Sequence, residues 1–154
     1  MVNYLMQMVM GCAGSVGFAV LFNVPVAKLM PIALASALSW IGYALCMMFG
    51  GGAFWALFIG TAIAALISEL LARILKTPVL MLLVPILIPL IPGGDLYHMM
   101  NALVRGQDEN MLRYARLVLT EAGSIALGII CVSSVTSIFY GLLRRADHKK
   151  GKGS

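Results

Sequence analysis

With 154 residues, the chain is 61% hydrophobic and only 11% charged, and its formal net charge is +5. Soluble globular domains are about 45–50% apolar and about 25% charged. The composition therefore excludes a soluble enzyme, a disordered chain and a nucleic-acid-binding domain. It predicts an all-α integral membrane protein, because a lipid bilayer accounts for the surplus of apolar side chains.

Long uncharged runs divide the chain into membrane segments. Residues 1–27 carry no charged side chain, and forty uncharged residues separate Lys28 from Glu69. Two further uncharged runs cover residues 77–94 and 122–143. A helix that crosses a bilayer needs about 20 apolar residues. These runs therefore predict about five transmembrane segments.

Proline and glycine mark the predicted ends of these segments. Proline disfavours helix at the residue before it, so Asn23-Val24-Pro25 ends the first helix. Three glycines at 50–52 end the second, and the fourth segment is short and contains internal prolines. In chain order, the predicted segments are residues 4–22, 32–49, 54–71, 78–92 and 116–140, with polar residues of mixed charge at 93–115.

The distribution of Lys and Arg predicts the orientation. Five spans with the C-terminus inside place Lys28, Arg73, Lys76 and the basic C-terminal residues in the cytoplasm, and leave only three Arg outside. If the fourth segment instead dips into the membrane and returns, Lys and Arg are divided more evenly between the two sides. The positive-inside rule favours five spans, with the N-terminus out and the C-terminus in. Residues 1–143 then form one transmembrane domain, and residues 144–154 form a basic cytoplasmic tail.

Small residues recur every four positions along the third helix, at Ala56, Gly60, Ala64 and Ser68. Such a row lets another helix backbone approach closely. The row predicts a surface packed against protein, either within the chain, in a homo-oligomer or on another subunit.

The most informative stretch contains Pro85, Pro89 and Pro92, followed by Gly93 and Gly94. Each proline lacks an N–H group and clashes with the carbonyl four residues earlier. Carbonyls freed in hydrocarbon must meet another helix, water or a solute. Discontinuous helices of this kind often build substrate sites in secondary transporters. The stretch predicts a functional break, with a merely kinked packing helix as the alternative.

Few ionisable side chains interrupt the apolar segments. Glu69 precedes Arg73 by one turn, which fits either a boundary ion pair or a proton-coupling carboxylate. Glu121 stands in a similar position near the start of the last helix. Asp95 and His98 follow the proline-rich stretch, where histidine could carry a proton or simply cap a helix.

Motifs for metal, cofactor or nucleotide chemistry are missing from the sequence. One histidine beside one aspartate is too few ligands for a metal site. The three cysteines lie in apolar runs without a CxxC pair, which is typical of small buried hydrophobes. We therefore expect no cofactor, no metal and no enzymatic activity.

Two stretches resemble the threonine/serine exporter family. GFAVLFNVP at residues 17–25 resembles that family's first-helix motif. LLARILKTP at 70–78, followed by VPILIPLIPGG at 84–94 and Tyr97, is similar to its proline-rich second motif. Order and spacing also match, and the resemblance covers about residues 10–140.

The resemblance implies a bacterial cytoplasmic-membrane protein that works with a partner. A full-length exporter of that family has two unlike halves, and this chain is similar to the C-terminal half. A larger membrane subunit similar to the N-terminal half is therefore implied. The resemblance also implies efflux of threonine and serine driven by the proton gradient. Some two-subunit relatives are instead linked to export of dicarboxylates such as succinate.

The family supplies no catalytic residue set, so the candidate site residues come from the physical arguments above. Competing hypotheses are a non-transporting subunit that stabilises its partner and a homo-oligomeric channel. Candidates for binding a small polar metabolite are Asn23, Pro25, Pro85, Pro89, Pro92, Gly93, Gly94 and Tyr97. Candidates for proton coupling are Glu69, Asp95 and His98.

Overall fold

The computed structural model describes the backbone of residues 2–150 and the side chains of residues 5–141. Within that part of the chain all regular structure is helical, which confirms the all-α prediction. The predicted basic tail is helical through Lys150, but its side chains and residues 151–154 lie outside the described part. The helices are α1 (Val2–Leu21), α2 (Leu29–Met48), α3 (Ala53–Ile74), α4 (Val79–Leu87), α5 (Gly93–Val104) and α6 (Asp108–Lys150).

The turn after α1 and the turn after α3 are built in the same way. Asn23 and Lys76 adopt left-handed backbone angles, with φ of 57° and 47°. The next residue in each turn donates its N–H to a carbonyl five residues back, Val24 to Ala19 and Thr77 to Ala72, at 2.9 Å. A proline follows in both cases and prevents the helix from continuing. Asn-Val-Pro and Lys-Thr-Pro therefore act as helix-ending signals.

Helix α3 occupies the centre of the bundle, where it packs against α2, α4 and α6. Its row of small residues, Ala56, Gly60, Ala64 and Ser68, is fully buried. A Cβ atom on Gly60 would lie 3.1 Å from the carbonyl oxygen of Ser39 in α2. The prediction that this row packs against protein is confirmed for contacts within the chain.

Helices α3 and α6 run in the same direction. Near the start of α3, the Phe54 carbonyl accepts a hydrogen bond from the Ser124 hydroxyl. Near its end, Arg73 lies over the ring of Tyr140. The segment from α4 to α5 therefore returns the chain from the end of α3 to the level of its start. By contrast, the four-residue connection 49–52 makes α2 and α3 antiparallel neighbours.

Three described helices are long and apolar enough to cross a membrane, Val26–Met48, Ala53–Ile74 and Asp108–Gly141. The number rises to four if Val79–Leu90 and Gly93–Val104, which meet at a 62° bend, count as one span. A further apolar helix, Leu5–Leu21, is shorter. The described residues thus contain three to four candidate spans, and the fifth stays a prediction.

The region between the last two predicted segments is more helical than the sequence suggested. Residues 93–115 contain α5, and the last helix begins at Asp108 instead of near residue 116. Asp108 and Glu109 lie in its first turn, where negative charge stabilises a helix N-terminus. The polar residues at 108–115 are therefore compatible with a helix. The predicted last segment excludes them because their hydrophobicity is low.

Candidate functional site

A cavity of about 480 Å³ lies where the proline-rich stretch meets α1, α2, α3 and α6. Its volume falls within the range of about 300–1,000 Å³ that small-molecule sites occupy. The lining is formed by Gln7, Trp40, Tyr43, Leu57, Glu121 and the continuous stretch Pro89–Asp95.

The backbone of the proline-rich stretch departs from regular α-helix beside this cavity. Helix α4 ends at Leu87, and a 3₁₀ turn at Ile88–Leu90 follows. Pro92 then takes a non-helical ψ of 62°, and α5 begins at Gly93. The first amides of an α-helix have no carbonyl acceptor within the helix. The Gly93 N–H donates to the Ile91 carbonyl at 2.7 Å, so the start of α5 can present the N–H groups of Gly94 and Asp95 to a small polar molecule.

An aromatic wall faces this turn from α2. The rings of Trp40 and Tyr43 stack with their centroids 4.9 Å apart. The Trp40 indole nitrogen Nε1 is buried and has no hydrogen-bond partner among the described residues. Buried indole N–H groups usually find an acceptor. Trp40 thus adds an aromatic face to the cavity lining and carries an indole donor that is unpaired among the described residues.

Two carboxyl groups, those of Asp95 and Glu121, supply the charge of the cavity. Both side chains line the same cavity, although 25 residues separate them in the chain. The Glu121 oxygen Oε2 is buried and unpaired among the described residues. Within the described chain, the lining includes no Lys, Arg or His. The lining is therefore acidic, with no basic side chain among the described residues to balance its two carboxyl groups.

Five of the predicted binding and coupling residues line this cavity together, namely Pro89, Pro92, Gly93, Gly94 and Asp95. Pro85 is buried within α4 but is not part of the lining. Tyr97 and His98 are exposed on α5, and the His98 ring stacks on Tyr114 of α6 with centroids 5.3 Å apart. Tyr97 and His98 therefore lie outside the lining of this cavity.

The remaining predicted residues lie outside the cavity. Asn23 and Pro25 are exposed in the turn after α1, where Asn23 serves as the helix-ending residue described above. The Glu69 carboxylate accepts a hydrogen bond of 3.3 Å from Arg73 one turn later in α3. The structure therefore contains the boundary ion pair that the spacing allowed.

Sequence reasoning assigned no site role to Gln7, Trp40, Tyr43 and Leu57, and left Glu121 out of the candidate set. A partial signal existed for Trp40 and Tyr43, because aromatic residues three positions apart share a helix face. Glu121 was visible as an acid at the edge of a long apolar run. No signal in the sequence indicated that these residues meet the proline-rich stretch.

Apolar helices around a charged cavity at a bent, proline-rich segment are the architecture of a multi-pass membrane transport protein. The family model described as threonine/serine exporter, ThrE, matches residues 7–135. This chain therefore belongs to the threonine/serine exporter family. No curated protein and no solved structure matches the chain.

Proposed function

We propose that the chain is a subunit of an exporter that moves threonine and serine out of a bacterial cell, driven by the proton-motive force. The observation that carries the proposal is the cavity beside Pro89–Asp95, in a chain of an exporter family. The cavity has the size of a metabolite site, and its lining includes two carboxyl groups, two aromatic side chains and the start of a helix. These groups suit a small zwitterion that carries a hydroxyl group.

The topology that we propose has five spans, formed by α1, α2, α3, the bent α4–α5 pair and α6. Its support is the common direction of α3 and α6, because an odd number of crossings must then lie between them. Lys28, Arg73 and Lys76 all lie near the end of α3, where the Lys28 ammonium donates to the Thr77 hydroxyl. The positive-inside rule places that end in the cytoplasm. The cavity, level with the start of α3, then lies towards the outer face.

A larger membrane subunit is the partner that we propose. Gly14 and Gly17 of α1 and Gly123 of α6 have no described atom near the position of a Cβ. Glycines on an open helix face allow a further helix to pack closely. This observation supports a protein neighbour at these faces, and a second copy of the chain is the alternative occupant.

Efflux from cells tests the proposed activity. Cells of the source bacterium that lack the chain are complemented with it, loaded with labelled threonine, serine or succinate, and assayed with and without an uncoupler. We expect uncoupler-sensitive efflux of threonine and serine only in the complemented cells. Succinate efflux alone would move the assignment to dicarboxylates, and no efflux of any of the three would contradict the exporter.

Purification of a tagged chain from the same membranes tests the partner. We expect a larger multi-pass protein in stoichiometric amount. Recovery of the chain alone, with efflux intact, would contradict the two-subunit proposal.

A non-transporting assembly subunit is the second candidate, and one contact favours it. A Cβ atom on Gly11 would lie 3.1 Å from Pro89, so the proline-rich stretch also holds α1 in place. Pro89→Ala separates the candidates. A transport role predicts lower efflux with an unchanged amount of complex in the membrane, whereas a purely structural role predicts that efflux and complex fall together.

A further inference from the structure

We infer that Asp95 and Glu121 form one exchange site, which holds either a proton or the ammonium group of the exported amino acid. The inference rests on the proposed export of threonine and serine and adds the substrate group that is recognised and the residues that couple it to protons. We call these two residues the acidic pair.

The first argument is the unfinished hydrogen bonding of the acidic pair. The two carboxyl groups line one cavity, and ionised carboxylates contain no hydrogen-bond donor and repel each other. Glu121 Oε2 is buried without a partner in the described part of the chain. Either a shared proton or an ammonium group would supply the donor that is missing and reduce the repulsion.

The second argument is the charge balance of the whole lining. Among the described residues it contains two acids and no Lys, Arg or His. A dicarboxylate would bring two more negative charges into a cavity without a basic side chain. An ammonium group would be attracted to the acidic pair and to the stacked faces of Trp40 and Tyr43. The lining therefore selects substrates that carry an ammonium group.

The third argument concerns the rest of a zwitterionic substrate. Gly93 and Gly94 open α5 at the cavity, and the start of a helix favours a carboxylate. Asp95 itself lies in the first turn of α5, so backbone N–H groups for a carboxylate and a carboxyl group for an ammonium group lie within about one helical turn of each other. An amino acid can satisfy both, whereas an amine or a simple carboxylic acid satisfies only one.

A proton and the ammonium group of the substrate compete for the acidic pair. This competition couples proton entry to amino-acid export and needs no further residue. A proton that enters from the outer face neutralises the pair and weakens its hold on the ammonium group, so the substrate leaves. Loss of that proton on the cytoplasmic side restores the negative charge, and the next substrate binds. Each cycle exchanges a proton moving inwards for an amino acid moving outwards.

Threonine exchange in membrane vesicles from the complemented cells, at equal pH on both sides, tests this competition with the native chain. We expect the KM for threonine to rise as the pH falls, by up to about tenfold for each unit of pH, with an unchanged maximal rate. Threoninol, which keeps the ammonium group, should inhibit the exchange. 3-Hydroxybutyrate, which lacks that group, should not.

Substitutions test whether the acidic pair causes the pH dependence of the KM for threonine. Glu121→Gln should raise the KM and flatten its pH dependence, whereas Glu121→Asp should retain the dependence. Glu109→Gln is the matched control, because it removes an exposed carboxylate from the same helix outside this cavity. The amount of each variant in the membrane is measured by immunoblotting.

The outcomes separate the two proposals. Threonine exchange with a pH-independent KM, or equal inhibition by 3-hydroxybutyrate and threoninol, would overturn the exchange site and leave threonine export standing. Absence of threonine exchange in vesicles with the native chain would overturn both. If the Glu121→Gln variant fails to accumulate, two measurements on the native chain still test the exchange site. They are the pH dependence of the KM and the comparison of threoninol with 3-hydroxybutyrate.

Discussion

Arg73 of α3 lies over the aromatic ring of Tyr140 in α6, with its guanidinium carbon 3.4 Å from the ring centroid. At the opposite end of α3, Ser124 of α6 donates to the carbonyl of Phe54. Two contacts so far apart align the helices in one direction. The segment between them must therefore return the chain along the length of α3, which makes α4 and α5 together a crossing candidate.

Cysteine labelling tests that crossing. With Cys12, Cys46 and Cys131 replaced by Ala, single cysteines are placed by Lys76→Cys after α3 and by Gln107→Cys after α5. We expect a membrane-impermeant maleimide to label the Gln107→Cys chain in intact cells and the Lys76→Cys chain only after permeabilisation. Val26→Cys is the control for the cytoplasmic side. Labelling of both turns from the same side would contradict five spans.

Steric contact at Gly128 should make this glycine essential for the packing of α3 on α6. A Cβ atom there would lie 3.0 Å from the Phe58 carbonyl oxygen and 3.1 Å from the Thr61 Cβ atom. Gly128→Ala should therefore destabilise the purified chain by about 1–3 kcal/mol, as overpacking does. Thermal unfolding in detergent, followed by tryptophan fluorescence, measures the effect.

Gly123→Ala is the matched control, because no described atom lies within 4 Å of its Cβ position on the same helix. Both substitutions gain about 1 kcal/mol of helix propensity, so the difference between the variants isolates the contact. Equal unfolding temperatures for the two variants would show that α3 and α6 are not packed as described.

The buried Ser15 hydroxyl donates to the Ser36 hydroxyl at 2.8 Å and joins α1 to α2. A double-mutant cycle with Ser15→Ala and Ser36→Ala should give a coupling energy of about 0.6–1 kcal/mol, which is usual for such bonds within membrane proteins. The free energies of unfolding come from mild denaturation in mixed micelles. Ser39→Ala serves as the control, since that hydroxyl donates to Ala35 of its own helix. Strictly additive single substitutions would argue against the bond.

Glu69 and Glu121 are predicted to behave differently in transport. Glu69 pairs with Arg73 outside the cavity, whereas Glu121 lines it. Glu69→Gln should preserve proton-driven efflux of threonine and lower stability by no more than about 1 kcal/mol, because a partly exposed ion pair contributes little. The efflux assay on loaded cells compares this variant with Glu121→Gln. Loss of efflux in the Glu69→Gln variant, at normal abundance, would return the coupling role to Glu69.

Several features of this protein were predictable from local sequence. Its composition required a membrane environment, and Asn23-Val24-Pro25 ended α1 where proline and a left-handed asparagine allow no further helix. The proline-rich stretch also predicted a functional break, and its residues 89–92 line the cavity, while their functional role stays a prediction. Both inferences depend only on backbone geometry and hydration, which act within a few residues.

Tertiary structure alone brought Glu121 of α6, Asp95 of α5 and Trp40 of α2 into the lining of one cavity. It also stacked the His98 ring on Tyr114, outside that lining. Hydropathy distinguishes lipid-compatible segments, but it does not say how far each helix is rotated or which helices are neighbours. Those choices follow from close backbone approaches at small residues such as Gly60 and Gly128. The sequence by itself therefore determined the apolar, all-helical character of the chain and the end of α1, because both depend on composition and local backbone geometry, whereas the packing of the helices decided which side chains share the cavity.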